Sequence, residues 1–174
     1  DALTSGSDLT FMTEALPTLA LAPGRNMGVL AQDAVLDARM TWSLGAFWNT
    51  ASFSSFDGAK DALSDSNGFN VSGRVTGLPV YADQGRRLVH LGLSVSRQRF
   101  TGDISARAQP ETKLTDDYFV DTGPFVPDSG TLAALEAAVV NGPWSVQGEY
   151  FIAAMKAPDT GDPTLSGFYL FASH

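Results

Sequence analysis

Leu36-Asp37-Ala38-Arg39-Met40-Thr41-Trp42-Ser43-Leu44-Gly45-Ala46-Phe47-Trp48 alternates in hydropathy along its whole length. The even positions carry Leu, Ala, Met, Trp, Leu, Ala and Trp, and the odd ones carry Asp, Arg, Thr, Ser, Gly and finally Phe. Successive side chains of a strand point to opposite faces, so this pattern predicts one strand with an apolar face and a polar face. An ordinary globular strand runs about 5–6 residues, whereas a tilted strand crossing a bilayer needs about 9–11. The length therefore favours a membrane barrel wall. A long strand of a soluble β-sandwich or lipocalin-like module satisfies the same alternation.

Further along, Phe69 to Leu78 repeats the pattern, with Asn70, Ser72, Arg74 and Thr76 opposing Phe69, Val71 and Val75. From Arg87 to Val95, Val89, Leu91, Leu93 and Val95 share one face. Arg86, His90, Gly92, Ser94 and Ser96 share the other, with Leu88 out of place. Trp144, Val146, Tyr150 and Ile152 likewise oppose Ser145, Gln147 and Glu149. Turn-forming Gly, Pro, Asn and Asp clusters separate these segments, which is the all-β signature. Alternation alone does not say whether the apolar side faces a core or lipid. Burial of Met40 and Trp42 beneath a second sheet would mark the soluble alternative. Trp48, Phe100, Trp144 and Phe171 stand near segment ends and suit interfacial girdles.

Two stretches depart from this plan. Residues 1–25 lack a long periodic run, and Leu9 to Leu16 before Pro17 reads as a short helical turn that Ser7 or Asp8 could cap. Thr131 to Gly142, rich in Ala and Leu, reads locally as a helix by a small margin, although Leu135, Ala137 and Val139 alternate with Glu136.

Composition narrows the function. A net charge of −8 with 17% charged residues suits neither a basic nucleic-acid binder nor a disordered tail. No cysteine is present, so disulfides, thiolate metal sites and cysteine nucleophiles are excluded. His90 and His174 are too few for a multi-histidine metal centre. Ser94 with His90 and Asp103 lacks a nucleophile-elbow glycine frame, and neither a Walker loop nor a dinucleotide glycine motif occurs. We therefore expect no enzyme, no catalytic residue, no metal and no cofactor. The acidic connections (Asp57, Asp61, Asp65; Asp116, Asp117, Asp121; Asp159, Asp162) read as solvated loops.

Taken in order, several stretches resemble the phosphate-selective porin O and P family. They are Leu9-Thr10-Phe11-Met12-Thr13-Glu14, Ala22-Pro23-Gly24-Arg25-Asn26-Met27-Gly28, Arg74-Val75-Thr76-Gly77-Leu78-Pro79-Val80-Tyr81 and Gly85-Arg86-Arg87-Leu88-Val89-His90-Leu91-Gly92-Leu93. Gln109-Pro110-Glu111, Val120-Asp121-Thr122-Gly123, Asn141 to Tyr150 and Ser166-Gly167-Phe168-Tyr169 continue the series.

The resemblance implies a bacterial outer-membrane protein: a trimeric, sixteen-stranded transmembrane β-barrel through which small anions diffuse past an inward-folded loop and lumen arginines. This chain would be an internal fragment supplying about seven or eight of those strands as an antiparallel meander. Residues 1–25 would be the inward-folded constriction loop, with Ser7, Thr13 and Glu14 in it, and residues 26–174 the strands. It also implies that residues 131–141 form a strand. The family's phosphate binders carry an arginine directly after the loop glutamate and a lysine earlier in that loop. Here Ala15 follows Glu14, and residues 1–13 contain no lysine. The expected solutes are therefore small anions, with phosphate or polyphosphate among them. Arg39, Arg74, Arg86, His90 and Arg107 are the candidate lumen residues, sharing their faces with Asp37, Glu111, Glu136 and Glu149. Guanidinium donors suit brief contacts with phosphate oxygens.

Overall fold

A computed structural model describes residues 15–21, 26–48, 68–100, 102–110 and 115–174. Among these residues one α-helix, α1 (Leu16–Leu21), precedes nine strands: β1 (Met27–Val35), β2 (Met40–Trp48), β3 (Phe69–Ala82), β4 (Arg87–Arg99), β5 (Arg107–Ala108), β6 (Val120–Asp121), β7 (Ser129–Asn141), β8 (Trp144–Lys156) and β9 (Thr164–Ser173). Seven of them form one antiparallel sheet in the order β1-β2-β3-β4-β7-β8-β9, while β5 and β6 pair separately. The fold is nearly all β, and the main sheet is an open meander rather than a closed barrel.

At one end of the sheet the connections are short: Leu36–Arg39, Asp83–Arg86 and Gly142–Pro143. At the other end lie the long ones, 49–68 and 100–128, with 157–163 between β8 and β9. The first short turn corrects the reading of residues 36–48 as a single strand. Leu36, Asp37 and Ala38 take left-handed backbone angles (φ 57, 55 and 61). The Arg39 N–H closes the turn on the Leu36 carbonyl at 3.1 Å. Only from Met40 does the alternation describe a strand, because the chain must reverse to pair Val35 with Met40. Along β3 the register slips between Gly77 and Val80, around Pro79, which has no N–H for the ladder.

The Ala-rich segment is strand β7, which overturns its local helical reading. Every residue from Ser129 to Asn141 pairs with β4 on one side and β8 on the other. Helix propensity amounts to a few tenths of a kcal/mol per residue, too little against two complete ladders. The helical turn expected over 9–16 lies mostly outside the described residues. The helix that is described starts at Leu16 and takes in Pro17, which the first turn accepts because its N–H would be unpaired there anyway.

Register decides the direction of the faces. Trp42, Val75, Leu93, Leu135, Tyr150 and Phe168 lie side by side across six strands. Their exposures run from 36% at Val75 to 71% at Phe168, and no described element covers them. Met40 is half-buried and has no second sheet above it. The soluble sandwich required the opposite. Trp48 and Trp144 stand on this bare face at its two ends, as expected. Phe171 does not: an odd position of β9 falls on the polar face, where its ring stacks on Tyr169 at 6.0 Å. Phe100, beyond the end of β4, lines a cleft on the polar side with α1.

Neighbouring strands on the polar face are tied by side chains as well as backbone. Thr41 and Thr76 hydroxyls meet at 2.6 Å, and Ser72 and Ser96 both donate to the Asn70 carbonyl, at 2.7 and 2.8 Å. The buried residues gather on this side, near the long connections: Phe151 and Ala153 of β8, with Ala106, Ala108, Ala157 and Pro127. α1 contacts β5, β8 and β9 there.

Two outcomes follow. With the bare face against lipid, as the porin resemblance implies, Leu135→Lys should destabilise the protein refolded into bilayers by about 2–4 kcal/mol, the cost of a cation at mid-depth. Ala138→Lys, on the other face of the same strand, should cost under about 1 kcal/mol; urea titration of both variants compares them, and equal costs would contradict the assigned faces. In the β8–β9 connection, Asp162 accepts from the Lys156 ammonium at 2.6 Å and from the Ala157 N–H at 2.9 Å. The Lys156 hydrogen bond chiefly, then the Ala157 N–H, holds the Asp162 carboxyl below its ordinary value. Its contribution is thus present above the unfolded carboxyl pKa and disappears as pH falls through the lowered one, below about pH 4. Proteolysis of this connection should accelerate in that acid range and do so less steeply in Asp162→Asn.

Candidate functional site

The polar face carries few charges. Along the seven paired strands the charged and imidazole side chains on it are Arg74 of β3, His90 of β4, Glu136 of β7 and Glu149 of β8. Arg74 reaches across β4 and donates from Nη2 to Glu136 Oε1 at 2.6 Å. His90 Nε2 lies 3.1 Å from the same oxygen. The bond over β4 requires a low point in the sheet, and Gly92 provides it: a Cβ there would collide with the Glu136 side chain. Glu136 and Glu149 are direct cross-strand neighbours, an arrangement that repels unless each carboxylate is compensated. Arg74 and His90 serve the first, and the Tyr169 hydroxyl donates to the second at 2.7 Å.

Beside this group a hollow of about 740 Å³ opens on the polar face, lined among others by Gln32, Thr41, Ser43, Ser72, Arg74 and Ser94. Arg74 and Glu136 keep 37% and 20% of their side-chain surface exposed. Such a pair stabilises by at most about 1 kcal/mol. Its consequence is electrostatic: one fixed cation and one fixed anion cancel locally. The guanidinium retains donors that bond nothing among the described residues.

Of the arginines picked out in the sequence, only Arg74 lies on the wall, and the structure brings it together with His90. Arg39 and Arg86 stand in the short turns, where their carbonyls accept from Leu78 and Gly142, each at 2.7 Å. Arg107, on β5, lies over the Tyr118 ring at 5.3 Å, towards the opposite end. The five residues therefore do not form one ladder. Ser7, Thr13 and Glu14 are outside the described residues. Tyr169 was missed, although the parity of β9 places it beside Glu149. His90 bonds Glu136 rather than Ser94, so no serine–histidine pair is assembled.

α1 packs onto the same polar face. Pro17 sits against Gly167 of β9, where a Cβ would lie 3.0 Å from the Pro17 ring. Thr18 beside it is buried, and its hydroxyl has no partner among the described residues.

No curated protein matches the chain. The family model described as phosphate-selective porin O and P matches residues 1–173. A two-faced antiparallel wall, bare and apolar on one side and hydrogen-bonded and polar on the other, is the architecture such a match requires. The chain belongs to the phosphate-selective porin O and P family, a family of outer-membrane channels and not of enzymes.

Proposed function

We propose that this chain forms wall of a passive outer-membrane channel whose solutes are small anions, phosphate among them. The observation that carries the reading is the placement of Arg74 and His90 on the face opposite the bare apolar row. With that row against lipid, the polar face lines the water-filled lumen. Guanidinium donors of Arg74 then meet passing phosphate or chloride, while hydroxyls of Ser72, Ser94 and Thr41 replace part of the hydration shell.

Glu136 keeps this contact weak. A filter has to release what it binds, and a cation half-neutralised by its neighbour does so faster than a bare one. We read the channel accordingly as modestly anion-preferring, without a dedicated phosphate-binding loop. α1, lying on the lumen side, narrows the passage from within residues 1–25. Full-length protein is expected to assemble as a homotrimer embedded in outer-membrane lipid.

Reversal potentials across planar bilayers under a potassium chloride gradient test this. Full-length protein should pass anions in preference to cations. Glu136→Gln should raise that preference by about fivefold, the equivalent of ~1 kcal/mol for a unit charge a few ångströms away in water, and Arg74→Gln should lower it similarly. A cation preference in the unmodified protein would overturn the anion reading.

A further inference from the structure

The polar face is not polar throughout. Among the described residues between the levels of Thr41 and Phe47, the large apolar side chains that β1 to β4 place on it are Leu30 and Phe47. Phe47 does not stand up from the sheet. An added Cβ at Gly28 would collide with its Cδ1 edge, and one at Gly45 with its opposite Cε2–Cζ edge. The ring therefore lies across β1 and β2, in the space that two absent side chains leave, and Gly45 beneath it is buried. One side of the ring rests on glycine. The other looks into the hollow of about 740 Å³, whose wall includes Phe47 and Leu30.

Register surrounds this platform with neutral polar groups. Ser72 and Ser96 lie level with Gly45, and Gln32, Ser43 and Ser94 stand one level further along, about 7 Å away at two residues of rise. Ser72 and Ser96 direct their protons to the Asn70 carbonyl, so their oxygens are left as acceptors. Donors come from the hydroxyls of Ser43 and Ser94 and from the Gln32 amide. Arg74, level with Ser43, is turned away across β4 towards Glu136.

We infer that the Phe47 platform and its rim bind an uncharged sugar in pyranose form, at a place distinct from the anion contact at Arg74. The inference rests on the channel reading for the position of this site in the lumen. A pyranose offers an apolar C–H face to the exposed side of the ring. Around its edge it carries hydroxyls that both donate and accept, as this rim does. The hollow falls within the range of about 300–1,000 Å³ that small-molecule sites occupy. A wholly apolar solute would strip water from the rim and return no hydrogen bonds. A bare inorganic anion gains nothing from the ring.

The experiment uses full-length protein and two probes: cellobiose, whose equatorial hydroxyls leave flat C–H faces, and mannitol, a polyol without a ring. Saturation-transfer NMR in detergent reads binding, and planar bilayers record interruption of the current in parallel. Cellobiose should bind saturably and interrupt the current, and mannitol should do neither. Phe47→Leu should weaken cellobiose binding about tenfold, and Phe47→Tyr should preserve it. Ser94→Ala should weaken it about fivefold through loss of one hydrogen bond. The reversal potential should be the same in Phe47→Leu as in unmodified protein, because the ring carries no charge. Absence of saturable cellobiose binding, equal binding of mannitol, or full binding by Phe47→Leu would each overturn the inference and leave the channel reading standing. Cellobiose bound as expected by a protein that conducts nothing would overturn the channel reading instead.

Discussion

A strand laid against lipid finds no water for its amide groups, so every N–H and C=O within the spanning segment must be met by a neighbouring strand. That requirement organises this chain. β3, β4, β7 and β8 are paired on both sides over most of their length, and the three tight reversals between strands all lie at one end. It also explains why a segment as rich in alanine and leucine as Thr131 to Val140 is extended. A helix there would satisfy its own backbone but leave the facing edges of β4 and β8 open.

With backbone demand met by the ladder, side chains are free to specialise by face, and the two sides follow different rules. Outward, the requirement is only apolar surface, so Trp42, Val75, Leu93 and Leu135 need not interlock with anything. Inward, the side chains form explicit bonds, and two glycines make them possible. Gly92 lets Glu136 reach Arg74 and His90, and Gly167 receives Pro17 so that α1 can lie flat on the sheet. Burial among the described residues is concentrated under that helix and beneath residues 102–110 and 115–128, which makes the polar side the better packed of the two.

Alternation was legible in the sequence wherever both faces were chemically distinct, as in Phe69 to Val75 and Val89 to Val95. β1 escaped notice because Leu30 and Ala34 on its polar face and Asp33 on its apolar face dilute its pattern. The first reversal was hidden for the opposite reason: Leu36-Asp37-Ala38-Arg39 happens to continue the period of the strand that follows. A turn built from left-handed leucine, aspartate and alanine carries no Gly or Asn signal. Direction was beyond alternation altogether, and only the chain-long resemblance anticipated it. Arg74 and His90 could be placed by parity. Parity says nothing about strand ends, so Arg39 and Arg86 were credited to a wall and belong to turns.

On the proposed channel reading, the placement of those two arginines in turns changes how selectivity would arise. A ladder of unpaired cations would attract anions strongly and hold them. Along the described strands a single arginine shares the polar face with two glutamates, and the nearer glutamate is bound to it. The formal charges of Arg74, Glu136 and Glu149 leave this face of the seven strands one negative charge in excess, so on the proposed reading an anion preference has to come from short-range donors and not from long-range attraction. Hydroxyls beside Arg74 act only on solutes already in contact with the wall. Selectivity of that kind is less sensitive to salt than attraction acting over a Debye length, because contact distances are too short to be screened.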